Sequence, residues 1–211
     1  MNLGLGLSAV GVGGFAHIGA IKALEEHGIY LIYITGTSAG TLVGALHGSR
    51  MAWKAILDFF KELERFGVAK YARIQHGLKD STKFYDGLKH YLPDDCFDSL
   101  KKSSFTTANN LLNGTVKVFR KGQLIWPLLD SEVVPGIFSP VKINSHYYED
   151  GGTLNNFLVD LMKILYNPII GVYLNLLGKE KLKTSTIRIR LSNVLSDFQM
   201  RLNKISKKRA Y

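Results

Sequence analysis

Between an apolar run at Tyr30 to Ile34 and a second run at Thr41 to His47 stands Thr35-Gly36-Thr37-Ser38-Ala39-Gly40. The first run reads as a buried strand and the second as a helix, so these residues must turn the chain from one into the other. A serine on such a turn, with glycine two residues before and two after, has the form of a nucleophile elbow, G-x-S-x-G. The turn is too tight for side chains at the flanking positions, and Gly36 and Gly40 remove them. Ser38 then projects from the turn, above the N-terminus of the next helix. That end, beginning at Ala39, offers free N–H groups and a partial positive charge to a developing oxyanion. The same pentapeptide also occurs as a plain strand-to-helix turn, so its chemistry is judged from its surroundings.

Upstream, Leu3 to Ser8 reads as a buried strand and Ala9 to Gly14 as a glycine-rich loop. Phe15, Ile18, Ile21 and Leu24 recur at helical spacing through His27, and Gly28 closes that helix as a C-cap. Strand, loop, helix, strand, turn, helix in this order predicts a parallel sheet with helices on its faces. Downstream, helices are expected over Trp53 to Phe66, Ser81 to Tyr91, Gln123 to Val133, Val159 to Leu165 and Thr186 to Lys207. Strands are expected at Phe105 to Ala108, Thr115 to Phe119 and Ile169 to Leu174. Val141 to Ile143 and His146 to Tyr148 read as a hairpin, with Asp150-Gly151-Gly152 directly after it.

With 211 residues, 46% of them hydrophobic, the chain suffices for one domain with a substantial core. A single cysteine, Cys96, excludes an internal disulfide and points to a reducing, cytoplasmic compartment. Cys96 itself reads as a small buried hydrophobe. No apolar run reaches the roughly 18 residues of a membrane span. The six histidines are scattered and no Cys/His cluster has zinc spacing, so neither a metal nor another cofactor is expected.

The net charge of +10 is uneven. Residues 179–211 hold ten Lys/Arg and two Asp/Glu, a net +8, while residues 1–178 are nearly neutral. Such a segment favours anionic surfaces. In Thr186 to Lys207 the apolar residues Leu191, Val194, Leu195, Phe198, Leu202 and Ile205 share one helical face. That face reads as packed on the chain's own core, with peripheral contact to anionic membranes as the second reading.

A serine nucleophile needs a base. The α/β-hydrolase order of serine, acid, histidine fails here, because the last histidine, His146, precedes the best acid, Asp150. A dyad, with one carboxylate as the direct base, is the other solution. Asp150 stands at a strand end before two glycines, where backbone can approach it closely. A free aspartate has a pKa of about 3.9, and desolvation would raise it toward a useful range. Taken alone, Asp-Gly-Gly is as well an ordinary turn. The loop Ala9-Val10-Gly11-Val12-Gly13-Gly14 would present consecutive N–H groups to an anion.

Together these pieces resemble the patatin-like phospholipase family, from about Leu3 to Asn175. The resemblance rests on four stretches in the family's order: Gly14-Phe15-Ala16-His17-Ile18-Gly19; Gly36-Thr37-Ser38-Ala39-Gly40; Pro135-Gly136-Ile137-Phe138-Ser139-Pro140-Val141; and Asp150-Gly151-Gly152 followed by Asn155-Asn156. It implies an α/β fold, a three-layer α/β/α sandwich around a mostly parallel sheet. It implies a Ser38–Asp150 dyad that hydrolyses lipid acyl esters without a metal or cofactor. Residues 1–178 would form the hydrolase domain, and 179–211 a basic helical extension packed on it. The family's loop usually reads Gly-Gly-Gly-x-Arg/Lys-Gly. Here Ala9, Val10 and Gly11 stand at the three glycines, Gly13 at the basic position, and Leu158 at a usual proline. Valine is rarely stable at positive φ.

Three other readings compete. Gly11-x-Gly13-x-x-Ala16 satisfies the dinucleotide fingerprint, but the second strand ends without the carboxylate that would hold a ribose. A non-catalytic member of the same fold, binding lipid or a partner, would account for the altered loop. Nucleic-acid binding through the basic tail lacks any accompanying motif and is not expected. Of the remaining residues, His17 reads as packing or hydrogen-bonding near the loop, and Trp126 and Phe138 as core, with an acyl-pocket lining as their second reading. Head-group, chain-length preference and oligomeric state leave no mark in the sequence.

Overall fold

The computed structural model describes residues 3–9, 14–65, 78–110, 113–131, 141–143, 146–150, 169–173 and 187–188. The first strand, β1 (Leu3–Leu7), leads to α1 (Gly14–Glu26), β2 (Leu31–Gly36) and α2 (Ala39–Gly48). Then come α3 (Trp53–Arg65), α4 (Leu78–Tyr91), a 3-10 turn at Phe97–Ser99, β3 (Ser103–Asn110), β4 (Thr115–Phe119) and α5 (Ile125–Ser131). The hairpin β5 (Val141–Ile143) and β6 (His146–Asp150) follows, then β7 (Ile169–Val172) and β8 (Ile187–Arg188).

The strands form one mixed sheet in the order β5-β6-β3-β2-β1-β7-β8, with β4 paired to β3. From β3 through β2, β1 and β7 to β8 every pairing is parallel; β4, β5 and β6 are antiparallel additions. The sheet is flanked by helices, the layered α/β arrangement expected from the alternation of strand and helix patterns. Parallel strands need both faces covered, and the central ones read accordingly: Leu5, Leu7, Ile34 and Val172 are at most 1% exposed. All ten residues of α2 are buried, which explains why its sequence, Ala-Gly-Thr-Leu-Val-Gly-Ala-Leu-His-Gly, shows no polar face.

α3 follows the opposite rule. Ile56 and Phe59 are buried while Lys54, Asp58, Lys61 and Glu62 face water, the 3.6-residue alternation of a surface helix. α5 is held at its start by Asp95. The Asp95 carboxylate accepts the N–H groups of Leu124 (3.1 Å) and Ile125 (2.6 Å), and its other oxygen accepts the Tyr85 hydroxyl at 2.8 Å. A capping carboxylate from outside the helix thus satisfies N–H groups that a helix start leaves unbonded.

Two expectations need correction. Ile187–Arg188 pairs with β7 as the last strand of the described sheet, so this stretch is not the first turn of a helix beginning at Thr186. Ile187 lies beside Ile170, and Ile-Arg-Ile-Arg is an alternation that suits a strand better than a helix. The rest of that expected helix, and the one at Val159 to Leu165, lie outside the described residues. Cys96 is half-buried rather than buried, in extended backbone beside Asp98.

Candidate active site

The elbow forms where β2 ends. Ser38 has φ 51° and ψ −132°, a positive-φ conformation that non-glycine residues rarely adopt. Such strain costs on the order of 1–3 kcal/mol and persists only where the surroundings dictate it. Here they do. The Thr37 N–H donates to the Leu7 carbonyl at 3.1 Å, which ties the turn to β1. The Thr41 and Leu42 N–H groups both donate to the Ser38 carbonyl.

Both motif glycines are required by contact. A Cβ on Gly36 would overlap the Gly40 carbonyl and stand 2.5 Å from the Thr41 nitrogen. A Cβ on Gly40 would lie 2.8 Å from the carbonyl oxygens of Leu7 and Ser8. Every one of these atoms is backbone, so no side-chain rotation relieves the conflict.

Serine at a helix start commonly spends its hydroxyl on capping. Ser38 does not: it makes no side-chain cap bond, although it is only 5% exposed. Its backbone N–H instead meets the first of three linked hydroxyls. The Ser38 N–H donates to Ser131 Oγ at 2.8 Å; Ser131 Oγ lies 3.2 Å from Thr41 Oγ1; and Thr41 Oγ1 lies 3.1 Å from Thr106 Oγ1. Thr41 Oγ1 also donates to the Gly36 carbonyl at 2.5 Å. Ser131, Thr41 and Thr106 carried no motif signal, because a hydroxyl at a helix end or inside a strand has no sequence signature. Only their meeting at the elbow marks them.

At the start of the glycine loop, His17 is fully buried and its Nε2–H donates to the Ser8 carbonyl at 2.8 Å. Burial lowers its pKa from 6.5 to about 4, against a smaller raising effect of that same bond, so the ring is neutral at pH 7. His47, at the end of α2, is likewise lowered to about 4, by burial first and then by Lys102, whose ammonium lies 2.5 Å from its Nε2. Folded values below the 6.5 of the unfolded chain mean that the unfolded state takes up protons first. Stability from these two groups is therefore full above about pH 6.5 and is withdrawn as pH falls toward about 4. For His17 alone the loss reaches on the order of 3 kcal/mol, at about 1.4 kcal/mol per pH unit. Thermal melts between pH 7.5 and 4.5 should show this decline, and His17→Gln should make it shallower, leaving the share that His47 contributes. An equal slope in the variant would count against His17 as its source.

The described residues place the loop's two ends. Ala9 is half-buried just beyond β1, and Gly14 opens α1 with the Phe60 ring against it, 2.6 Å from where a Cβ would stand. Phe60 also meets Phe15 edge-on, at 5.9 Å between centroids. Val10, Gly11, Val12 and Gly13 lie outside the described residues. So do Gly151 and Gly152, and the stretch Pro135 to Pro140.

Asp150 is the last residue of β6 and pairs with Ala108 of β3. Two residues earlier on β3 is Thr106, which bonds Thr41; one further back is Phe105, whose carbonyl accepts the Thr35 hydroxyl at 2.7 Å. Of the three β6 residues paired with β3, Asp150 is thus the one whose backbone comes nearest the level of the elbow. The Asp-Gly-Gly stretch therefore begins inside a strand, not in a free turn. Among the described residues no group of three or more His, Cys, Asp or Glu has the arrangement of a metal site. None of the described helices is long and apolar enough to cross a membrane.

A layered α/β sheet that passes through a positive-φ serine into a wholly buried helix has the strand-turn-helix geometry expected of the G-x-S-x-G spacing. The family model for patatin-like phospholipases matches residues 7–163, and the chain belongs to that family. An uncharacterized NTE family protein of Mycobacterium tuberculosis is 28% identical over 161 residues, which cover 73% of this chain and 43% of that one. The lysophospholipase NTE1 of Candida albicans is 26% identical over 171 residues, 76% of this chain and 12% of that one. The chain thus spans less than half the length of these curated relatives. In fold it is similar to VipD from Legionella pneumophila, with a TM-score of 0.59 over 81% of this chain and 49% of that one, at 16% identity.

Proposed function

We propose that this chain is a lipid acyl hydrolase that cleaves carboxylic esters through an acyl-enzyme on Ser38, with Asp150 as the base. The observation that carries the proposal is the Ser38 turn: a strained positive-φ serine whose hydroxyl is not used for helix capping. Membership in a family of phospholipases and the backbone position of Asp150 support it. In this scheme Asp150 takes the Ser38 proton as Oγ bonds to the ester carbonyl carbon. The tetrahedral intermediate then expels the alcohol, which receives that proton. A water, deprotonated by Asp150 in turn, releases the fatty acid and restores Ser38.

The oxyanion of that intermediate needs N–H donors. The Ala39 N–H is the first of α2, and no acceptor for it stands among the described residues. The loop Ala9 to Gly14 is to supply the rest. A second reading, a catalytically impaired member that binds lipid or a partner, draws on Ala9 and Val10 at two glycine positions. One experiment separates the two: turnover of a lysophospholipid and of a short chromogenic ester by the unaltered chain, Asp150→Asn, and Ala9→Gly/Val10→Gly. We expect measurable hydrolysis, its loss by at least about 10³ in Asp150→Asn, and a gain of about 10² with the glycines restored. No hydrolysis in any of the three, with all folded, would favour the binding protein.

The +8 segment at 179–211 is the part best suited to peripheral contact with anionic membranes. Because Ile187–Arg188 belongs to the sheet, truncation is a poor test, and neutralising Lys204, Lys207, Lys208 and Arg209 to glutamine is a better one. Binding to phosphatidylserine vesicles should fall with salt and fall further in that variant. Equal binding to neutral vesicles at high salt would count against the idea.

A further inference from the structure

The hydroxyls at the elbow can be assigned donor by donor, because each carries one proton. The Gly36 carbonyl can only accept, so Thr41 spends its proton there, over 2.5 Å. Thr41 Oγ1 must then accept from Thr106, 3.1 Å away, and from Ser131, 3.2 Å away. Ser131, having given its proton to Thr41, is left with lone pairs, and one of them takes the Ser38 N–H at 2.8 Å. The chain of bonds has one consistent direction: Ser38 N–H to Ser131, Ser131 to Thr41, and Thr41 to Gly36. It joins the residue before the turn to the nucleophile itself. Ser131 is 0% exposed, and Thr41 and Thr106 are at most 2% exposed, so water does not compete for these bonds.

The bonds also divide the donors at the start of α2. The Thr37 N–H goes to Leu7, the Gly40 N–H to Thr37 and the Ser38 N–H to Ser131. Ala39 is left as the one residue from 37 to 41 whose N–H has no acceptor among the described residues. Ser131 reaches this point because α5 is short and fixed at its far end by the Asp95 carboxylate.

We infer that Ser131 is a positioning residue. Its hydroxyl clamps the Ser38 backbone in the positive-φ turn and withdraws the Ser38 N–H from the oxyanion donors, leaving that task to Ala39 on the α2 side. The catalytic consequence rests on Ser38 being the nucleophile; the clamp itself is a property of the fold and is read without any substrate.

The test follows the Ser38 amide by nuclear magnetic resonance hydrogen exchange on the full, 15N-labelled chain. In the unaltered protein this amide should be protected. In Ser131→Ala its exchange should accelerate by about tenfold or more, with core amides such as those of Leu5 and Val43 unchanged. Thr41→Val removes the acceptor for the Ser131 proton and should accelerate the same amide by a smaller factor. Ser131→Thr keeps a hydroxyl and should retain most of the protection. An unprotected Ser38 amide in the unaltered chain overturns the clamp. So does equal protection in Ser131→Ala; and if that variant does not fold, unchanged exchange in Thr41→Val overturns it. With a hydrolysed ester, Ser131→Ala should lower kcat about tenfold and leave KM within about twofold. If neither the unaltered chain nor Ala9→Gly/Val10→Gly hydrolyses an ester, the nucleophile reading fails alone, because the amide still reports on Ser131.

Discussion

Ser38→Ala is expected to lose ester hydrolysis by about 10⁴-fold or more while the protein keeps its fold. The size of the effect follows from the proposed covalent mechanism: without Oγ no acyl-enzyme could form, and Asp150 would have no group to activate. The preserved fold follows from how the turn is held. Its bonds run through the Ser38 carbonyl and N–H, to Thr41, Leu42 and Ser131, and none of those described runs through the Ser38 hydroxyl. Alanine inherits all of them and meets the same positive φ, so the melting temperature should move by no more than about 3 °C. Covalent labelling by a fluorophosphonate probe should vanish in the same variant. Turnover above about one part in a hundred in a clean preparation would remove Ser38 from the mechanism.

Gly36→Ala should do the reverse and break the fold first. The added methyl falls on the Gly40 carbonyl and within 2.5 Å of the Thr41 nitrogen, at the point where β2 and the first turn of α2 touch. Relief requires moving α2, which is buried along its whole length between elements that do not yield. Overpacking of this kind commonly costs 1–3 kcal/mol where side chains can shift. Here only backbone can, so we expect about 4 kcal/mol or more, a fall in melting temperature of at least about 10 °C. Gly19, on α1, has nothing beyond its own helix backbone within 4 Å of its missing Cβ among the described residues and serves as the control: Gly19→Ala should leave the melt unchanged or raise it. A soluble Gly36→Ala protein that melts with the unaltered chain would show that the elbow has more room than its contacts indicate.

What local pattern determines was legible in the sequence. The strand at Leu3–Leu7, the helix at Trp53–Arg65 and the hairpin of Val141–Ile143 with the strand from His146, which runs two residues past the expected Tyr148 to Asp150, all follow from hydrophobic periodicity and turn residues. The elbow follows from spacing: two glycines flanking a serine are needed because strand and helix backbones touch there, and contact between neighbours in sequence leaves a trace in sequence. The short strand at Ile187–Arg188 was missed for the opposite reason. Two residues carry too short a pattern to outweigh the helical spacing that follows them, and only β7 beside them makes them a strand. Ser131 is the clearest case. Ninety-three residues separate it from Ser38, nothing in its neighbourhood distinguishes it from any serine near a helix end, and its bond exists because the Asp95 cap aims α5 at the elbow. The sequence by itself thus determined the layered α/β class and the position of the strained serine, which depend on short-range sterics and burial. Which hydroxyl holds that serine, which N–H is left free beside it, and where Asp150 stands in the sheet depend on pairings between distant segments, and only the tertiary structure decided them.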